Sequence, residues 1–448
     1  AATAACSDTH VHGLPSAAAL DRTMACLTRA RREFTARLNA LATLERASLA
    51  QAVALATGLP ELTRCADDDG AAAGPDSPRA AAIDLRLAAA RARLVAGDHR
   101  GAQAQAEALT AEITELADPG RLADLHELAG KALLAAGATA AARARLEDGY
   151  LAARDADDDA RAARLALALA SLQTRASAEH RDALWWTRIA RGELARGGGD
   201  RLIAVDLQII EGSAHAGLGD LQAALTRYEA AEADLRRHGS PRPDHLAPVL
   251  SHAGVVLEQL GRFDAALAAQ ERALEILRDT LGPHHPRCVH QLTLIGTALA
   301  GAGRLADAEA RYTEAIALGE SIHGRDHPAL AVPLADLAVL EGTRGRFTAA
   351  IERLDRVLQI HESQAETNPA EVAATLAMLG EYHSSAGDPR TGLGLLDRAL
   401  ALERQTFGDE HARVAECRMR RAQVLADTGA LAPALTEQLA AAAALERT

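Results

Sequence analysis

Apolar residues return at helical spacing near the start of the chain. Between residues 16 and 45 they stand three, four or seven positions apart: Leu20, Met24, Leu27, Phe34, Leu38 and Leu41. This spacing places them on one stripe and predicts a single long helix. A shorter helix is predicted over 47–57, because Gly58 and Pro60 follow it. We therefore expect an N-terminal helical hairpin within residues 1–66.

The next segment has no apolar periodicity. From Asp67 to Arg79 it is rich in acidic residues, glycine and proline. Such a composition is typical of loops, so we predict a linker over 67–82. From residue 83 to residue 448 the helical spacing returns, and it is organised as repeated pairs of helices.

A glycine marks the turn inside each predicted pair. In the second half of the chain it recurs every 42 residues: Gly219, Gly261, Gly303, Gly345, Gly387 and Gly429. Gly97 and Gly137 extend the series, and one turn glycine is missing near Ala178. A fixed period of this length is typical of a repeat solenoid. The spacing predicts about nine helix pairs, of which the pair at 160–200 is degenerate.

The unit at residues 287–328 illustrates the helices and the turn that the pattern predicts. Within 287–328 we predict a helix from Cys288 to Ala302, a turn at Gly303-Arg304, and a second helix from Leu305 to Ile322. Glycine suits the turn because it tolerates positive φ. Asp326 and Pro328 suit the start of the next helix, as a cap and as a first-turn residue.

Small residues stand at fixed distances from each turn glycine. Seven residues before it and five residues after it, every position is glycine or alanine: Ala90, Gly130, Gly212, Gly254, Gly296, Ala338, Gly380 and Ala422 before, and Ala102, Ala142, Ala224, Ala266, Ala308, Ala350, Gly392 and Ala434 after. Nine residues after the turn the residue is often large, as at Leu146, Tyr312 and Leu396. Such alternation predicts two closely packed, interlocking helices.

Composition agrees with an all-α fold and narrows the function classes. Aromatic residues make up 2% of the chain and the net charge is −13. Alanine and leucine, which dominate the apolar residues, favour helices. The negative charge argues against binding to nucleic acid, and Lys131 is the single lysine. No apolar run is long enough to predict a membrane span within this chain.

The repeat resembles the tetratricopeptide repeat (TPR) family. Its 42-residue length and the joints Gly282-Pro283-His284-His285-Pro286 and Gly324-Arg325-Asp326-His327-Pro328 are similar to the kinesin-light-chain type. The resemblance covers roughly 83–448 and is strongest over 201–448. It implies a right-handed superhelical solenoid whose first helices line a groove for a protein or peptide.

The N-terminal segment is similar to the region that joins a membrane span to TPRs in large bacterial Ser/Thr protein kinases of the myxobacterial type. The similar pieces are Ala5-Cys6, Met24-Ala25-Cys26-Leu27 and Leu59-Pro60-Glu61-Leu62. The resemblance implies an upstream kinase domain and span, and hence an extracytoplasmic location; without that context a cytoplasmic location is expected.

The chain contains no pattern that predicts catalysis, a cofactor or a metal. Gly301–Ala306 fits a loose dinucleotide fingerprint, but that motif needs a strand before it and a helix is predicted there. Histidines cluster in the joints between units, namely His284, His285, His323, His327 and His411. Because they recur one unit apart, we interpret them as residues of helix starts and not as converging metal ligands.

The groove is the predicted binding site. The geometry implied by the TPR resemblance selects ten residues on first helices: Ser251, Val255, Glu258, His290, Thr293, Thr297, Val339, Thr343, Glu381 and Ser384. At four further positions, where kinesin-light-chain-type repeats often place asparagine, this chain has other residues, and His252 and Asp336 are the two suited to similar polar contacts.

The two tryptophans and three cysteines are the remaining candidates. Trp185 and Trp186 lie in the degenerate unit and point about 100° apart on a helix. In one interpretation the two tryptophans form a binding hot spot. In the other, one tryptophan packs in the interior and its neighbour is partly exposed. Cys6, Cys26 and Cys65 are compatible with a disulfide in an oxidising compartment, or with buried free thiols.

Two functions are compatible with these features. The first is a non-catalytic interaction or sensor scaffold that binds a peptide or protein in the groove, as the C-terminal part of a bacterial signalling kinase. The alternative is a structural protein that assembles with itself into an oligomer or filament, because the last helix, from Ala432 to Leu445, carries few charges on its outer side.

Overall fold

The computed structural model describes residues 17–43, 55–56, 77–175, 179–238, 245–364 and 368–445. Throughout these ranges the secondary structure is helical, with short turns between helices. The all-α repeat fold predicted from the sequence is confirmed. Among the described residues, no helix combines the length and the hydropathy needed to cross a bilayer.

The chain divides into two compact units, Ala1–Ala223 and Ala224–Thr448. The first contains eight described helices: α1 Ala17–Thr43, α2 Pro78–Val95, α3 His99–Leu116, α4 Pro119–Ala135, α5 Thr139–Asp155, α6 Asp159–Arg175, α7 His180–Arg196 and α8 Arg201–Gly217. The boundary between the units falls inside α9, Leu221–His238. Helix α1 confirms the predicted long N-terminal helix, whereas the shorter helix predicted over 47–57 lies almost wholly outside the described residues.

The second unit continues with ten helices in its described ranges: α10 Leu246–Gln259, α11 Phe263–Leu281, α12 Pro286–Gly301, α13 Leu305–His323, α14 Ala331–Thr343, α15 Phe347–Glu362, α16 Pro369–Ser385, α17 Pro389–Phe407, α18 Ala412–Asp427 and α19 Leu431–Leu445. A 3₁₀ turn, Pro328–Leu330, precedes α14. Helices α12 and α13 agree with the predicted pair to within two residues at each end.

Consecutive helices pack in pairs: α2 with α3, α4 with α5, α6 with α7, and so on from α10 with α11 to α18 with α19. We call the members of each pair its first and second helix. The degenerate region is still a helix pair, since α6 and α7 pack closely despite the missing turn glycine. Helix α2 begins at Pro78, so residues 78–82 of the predicted linker are helical.

The turn glycines have the backbone conformation that the repeat predicts. All eight, from Gly97 to Gly429, have φ between 72° and 94°, a region that costs other residues free energy. The small positions let the two helices approach. A Cβ at Gly296 would lie 2.5 Å from Cε1 of Tyr312, and one at Gly380 would lie 2.7 Å from Cγ of Leu396. The predicted alternation of small and large residues is therefore confirmed.

The joints between pairs begin the next helix with a side-chain cap. Nδ1 of His285, His327 and His411 each accepts a hydrogen bond, at 3.2 Å, from the backbone N–H two residues later. Asn368 has the same role, accepting from the Ala370 N–H at 3.1 Å. The prediction that Asp326 caps the next helix is wrong, because His327 is the capping residue. An imidazole nitrogen satisfies the free N–H as a carboxylate would.

Candidate functional site

The first helices of the second unit form a common surface. Helix α10 contacts α12, α12 contacts α14, and α16 contacts α18. We call the surface of these five helices the first-helix face of the second unit. All ten predicted groove residues lie on α10, α12, α14 and α16, so the structure brings them onto this face.

The ten residues differ in how accessible they are. His290, Val339 and Thr343 are exposed, and six others are half-buried: Ser251, Val255, Glu258, Thr297, Glu381 and Ser384. Thr293 is the exception, since it is 3% exposed and its hydroxyl donates to the Val289 carbonyl at 2.9 Å. We correct its assignment: Thr293 packs inside the helix layer and presents no surface to a ligand.

Ser251 belongs to a buried polar network that the sequence analysis missed. Its Oγ lies 2.5 Å from Oε1 of Gln291, and its carbonyl accepts from Nε2 of Gln270 at 3.2 Å. Nε2 of Gln291 in turn donates to the Gln270 carbonyl at 3.0 Å. Both glutamine side chains are buried, so these bonds satisfy groups that would otherwise destabilise the core. The available signal was Gln270 itself, a polar residue nine positions after a turn glycine.

Two carboxylates on the first-helix face lie close enough to interact. Burial raises the pKa of Asp336 to about 6, although a hydrogen bond with Thr297 opposes the shift. Burial, followed by the charge of Asp336, also raises the pKa of Glu258. Thr297 is also hydrogen-bonded to a tyrosine: the Tyr312 hydroxyl donates to its Oγ1 at 3.2 Å. Among described residues, neither carboxylate has an ion-pair partner within 4.0 Å.

We expect Asp336→Asn to stabilise the protein at pH 7 by about 1–3 kcal/mol. The folded-state pKa, about 6, lies above the ordinary value of about 3.9. The folded state therefore keeps a proton that the unfolded state has released, and stability falls as pH rises through this window. Above this pH window, the free energy by which ionised Asp336 destabilises the folded state is constant. Below about pH 4, the variant and the parent no longer differ in stability for this reason.

Urea unfolding of both proteins between pH 4 and pH 8 measures this effect. The matched control is Glu275→Gln on α11, an exposed carboxylate whose replacement should change stability by less than about 0.5 kcal/mol. A variant that is no more stable than the parent at pH 7 contradicts the prediction.

The remaining groove residues have ordinary structural contacts as well. Glu381 on α16 forms an ion pair with Arg420 on α18, with Oε2 and Nη1 2.8 Å apart. Ser384 lies against the small residue Gly392 of α17. Beside the predicted site, His252 stacks on Tyr228 with ring centroids 5.6 Å apart. The face thus offers polar and aromatic groups that are already anchored.

The first unit contains a cavity that the sequence analysis did not predict. It has a volume of about 410 Å³ and lies between the first helices α4, α6 and α8. Its apolar floor is formed by Leu167, Ala168, Ile203, Ile209 and Ile210. The repeat pattern is weakest here, so no register identified these positions as neighbours.

Charged side chains surround this floor. Glu127, Lys131, Arg164 and Asp206 line the cavity together with Ser171. Lys131 Nζ lies 2.5 Å from Oε1 of Glu127. Although burial acts in the opposite direction, Lys131, Arg164 and Arg161 lower the pKa of Glu127 to about 2. Glu127 is therefore ionised at neutral pH, and the rim contains both acidic and basic side chains.

The tryptophan pair is placed as the packing interpretation describes. Trp186 is 8% exposed and meets Tyr150 edge to face, with ring centroids 5.5 Å apart. Trp185 is 54% exposed and lies edge-on to Trp186 at 4.8 Å. Trp186 thus belongs to the core, and a binding role for Trp185 stays a prediction.

Of the N-terminal cysteines, Cys26 in α1 is disulfide-bonded; Cys6 and Cys65 lie outside the described residues, so the pairing among the three also stays a prediction. Cys288 and Cys417 are free and buried. Within the described ranges, no three His, Cys, Asp or Glu side chains converge as metal ligands would. Gly301 and Gly303 lie at the turn between α12 and α13, with a helix on either side.

Comparison with known proteins supports the repeat assignment. Two tetratricopeptide repeat family models match this chain, one over residues 245–321 and 288–363 and the other over 372–413. No curated protein matches the sequence significantly. The matched residues begin at the N-terminus of α10 and end at the start of α18.

Three solved structures illustrate the likeness. The apo form of RapI is 13% identical with a TM-score of 0.54, covering 82% of this chain and 98% of its own. A Rap protein complexed with Competence and Sporulation Factor has the same identity and score, over 83% and 98%. A proposed kinesin light chain of Podosopora anserina with nearly identical TPR-like repeats is 18% identical, with a TM-score of 0.42, over 47% and 100%.

Identities this low show a shared fold and nothing about function, and the third likeness, with a TM-score below 0.5, supports no argument. The family matches, the 42-residue period and the packed helix pairs agree with one another. On this evidence the chain contains tetratricopeptide repeats and is an all-α repeat protein.

Proposed function

We propose that this chain is a non-catalytic scaffold whose first-helix faces bind a peptide or a segment of another protein. The observation that carries the proposal is the cavity between α4, α6 and α8. An apolar floor with a few polar groups at its rim is typical of ligand sites, and about 410 Å³ is within the usual range of their volumes.

The chemistry of the cavity favours a peptide with a large apolar side chain. Such a side chain would cover Ile209 and Leu167, which are half-buried here, and remove apolar surface from water. The rim offers the basic side chains of Lys131 and Arg164 to carbonyl or carboxylate oxygens and the acidic side chain of Asp206 to N–H groups. The fold is consistent with this use, since a Rap protein of similar fold is seen complexed with Competence and Sporulation Factor.

Selection from a phage-displayed random peptide library against the full chain tests the proposal. We expect enriched peptides to share a large apolar residue and to lose at least about tenfold in affinity for Ile209→Asp, a loss of roughly 1.4 kcal/mol or more. Ser171→Trp, which fills the cavity with apolar volume, should have the same effect without adding a charge.

The matched control is Leu151→Asp on α5, which changes an exposed leucine in the same unit away from the cavity. It should bind the selected peptides as the parent does. Lys131 provides a second readout: as the single lysine, it reports occupancy through protection from an amine-reactive ester. Peptides that bind parent and cavity variants equally, and leave Lys131 unprotected, contradict the proposal.

We further propose that the scaffold is the C-terminal part of a membrane-anchored bacterial signalling kinase, located outside the cytoplasm. The support is the resemblance of the segments around Cys6, Cys26 and Leu59 to such proteins. The gene sequence upstream of Ala1 tests this context. A kinase domain followed by a membrane span is the expected result, and an upstream sequence without them would contradict it.

A second candidate function is self-assembly, the alternative that the sequence raised. The observation in its favour is a row of exposed leucines on the last helix. It is compatible with peptide binding, because it involves a different surface.

A further inference from the structure

Two carboxylates on the first-helix face of the second unit lack the basic partner that a comparable acid has. Burial raises the pKa of Glu258 and of Asp336, and no described arginine, lysine or histidine lies near enough to oppose the rise. The other acid predicted on this face, Glu381, is paired with Arg420. Glu258 and Asp336 therefore present negative charge that the described part of the chain leaves uncompensated.

The repeat itself shows where a basic group would fit. Glu381 stands six residues before its turn glycine and Arg420 nine residues before the next one, and their Oε2 and Nη1 are 2.8 Å apart. Thr297 and Asp336 occupy the same two positions in α12 and α14, and they are hydrogen-bonded to each other. In α18 the second position supplies a guanidinium, whereas in α14 it supplies a carboxylate whose neighbour is an uncharged hydroxyl.

The Tyr312 hydroxyl shows that the two carboxylates lie near one point. Burial raises the pKa of Tyr312 to about 12, its hydrogen bond with Thr297 opposes the rise, and the charges of Asp336 and Glu258 add to it. Because a charge shifts a neighbouring pKa mainly over a few ångströms, both carboxylates lie close to this hydroxyl. The oxygens of Thr297 and Tyr312 are therefore further hydrogen-bond acceptors beside the two acids.

Apolar side chains flank Asp336. Val332 and Val339 are 60% and 42% exposed. They stand four residues before Asp336 and three residues after it, so the three lie within about 60° of the circumference of α14. On the neighbouring first helices, Leu294 and Val255 are half-buried. An acid set among apolar residues favours a ligand that brings a positive charge with apolar groups on either side of it.

The charge on this ligand is better supplied by an arginine than by a metal ion. Within the described ranges no three His, Cys, Asp or Glu side chains converge, and two carboxylates are too few to hold calcium. A guanidinium carries several N–H donors in one plane, which the carboxylates and hydroxyls of this site can accept together. It is also less strongly hydrated than the ammonium of lysine, so partial burial costs it less.

We propose that the first-helix face of the second unit binds a peptide segment through an arginine, with its guanidinium between Glu258 and Asp336 and with apolar neighbours of that arginine covering Val332 and Val339. The inference rests on the proposed peptide-binding function and adds a second site with a defined ligand chemistry, on a different unit from the cavity. Because the attraction is between charges, the affinity should fall as ionic strength rises.

Selection from a phage-displayed random peptide library tests the proposal. The target is the full chain carrying Ile209→Asp, a substitution expected to disable the cavity of the first unit; Ser171→Trp provides a second target of this kind. We expect the enriched peptides to contain an arginine with apolar residues close to it on both sides. Synthetic versions should lose at least ~tenfold in affinity when citrulline, which keeps the shape of arginine and removes its charge, takes its place.

The variant E258Q/D336N measures the contribution of the two carboxylates. It should lose the same factor for the arginine peptides and should no longer distinguish arginine from citrulline, because removing either partner removes the same interaction. The matched control, E271Q/E275Q on α11, removes the same net charge from two exposed carboxylates of a second helix and should change the affinity by less than ~threefold. Since Asp336→Asn is expected to stabilise the fold, unfolding does not explain a loss of binding.

Several results would overturn the inference: no enrichment of arginine, equal binding of arginine and citrulline peptides, or equal binding by E258Q/D336N and the parent. The proposed function survives these results if peptides selected with the parent chain still lose affinity for Ile209→Asp. Conversely, arginine peptides that depend on Glu258 and Asp336 uphold this site even if the cavity binds nothing. A parent dimer in light scattering that dissociates in E258Q/D336N would also overturn the proposal, since the face would then bind a second copy.

Discussion

Replacing Trp186 with alanine is expected to lower the free energy of unfolding of the first unit by about 3–5 kcal/mol. The side chain is almost fully buried, packs edge to face with Tyr150, and belongs to a core cluster with Leu165, Leu169 and Ile203. Alanine would leave a cavity that the rigid helix layers around it cannot close. The loss therefore includes both the transfer free energy and the cavity term.

The neighbouring residue provides the control. Trp185→Ala removes a side chain that is more than half exposed, so it should cost less than about 1 kcal/mol. Urea unfolding followed by hydrogen exchange measures both effects within the unit, since repeat arrays can unfold in parts. Each variant retains one tryptophan, and fluorescence should be blue-shifted for Trp186 and red-shifted for Trp185. Equal losses in the two variants would contradict the assignment of Trp186 to the core.

Replacing Gly296 with alanine is expected to destabilise the second unit by about 1–3 kcal/mol. In an exposed helix this change usually stabilises, because glycine has more freedom to lose on folding. Here a Cβ would lie 2.5 Å from Cε1 and 2.7 Å from Cδ1 of Tyr312. The ring is buried and its hydroxyl bonds to Thr297, so α12 and α13 would have to move apart.

A glycine in open space gives the opposite expectation. Gly394 lies inside α17, and a Cβ added there would have no neighbouring atom within 4 Å outside its own helix backbone. Gly394→Ala should therefore stabilise the unit by about 0.4–1 kcal/mol. The urea midpoints of Gly296→Ala, Gly394→Ala and the parent, measured at the same pH and temperature, test both expectations. If Gly296→Ala were as stable as the parent or more stable, this would contradict the inference that α12 and α13 pack too closely at Gly296 to admit a Cβ.

The comparison of Gly296 with Gly394 also shows why so much of the fold was predictable. Gly296 recurs at a fixed distance from the turn glycine, whereas Gly394 does not. A residue type required at regular intervals reflects a backbone requirement that every repeat shares, either a positive φ or a close helix approach. Such requirements are local, so they can be read from one sequence.

The candidate site was predictable only in part. Nine of the ten predicted groove residues are exposed or half-buried, and their role in binding stays a prediction. The prediction that Thr293 faces the groove is wrong, because adjacent residues on a helix point about 100° apart. A shift of one residue therefore separates a surface position from a buried one. The caps at His285, His327 and His411 were recognised as residues of helix starts, but the capping atom depends on the backbone path through the joint.

The sequence by itself determined the all-α repeat, the helix pairs, the turns and the close contacts within each pair. These follow from spacing, and spacing is a property of neighbouring residues. Only the tertiary structure decided that α4, α6 and α8 line an open cavity and that Asp336 lies near Glu258. Each of these depends on how separate helices are placed in space, which sets burial and the distance between charges, and no periodicity along the chain encodes it.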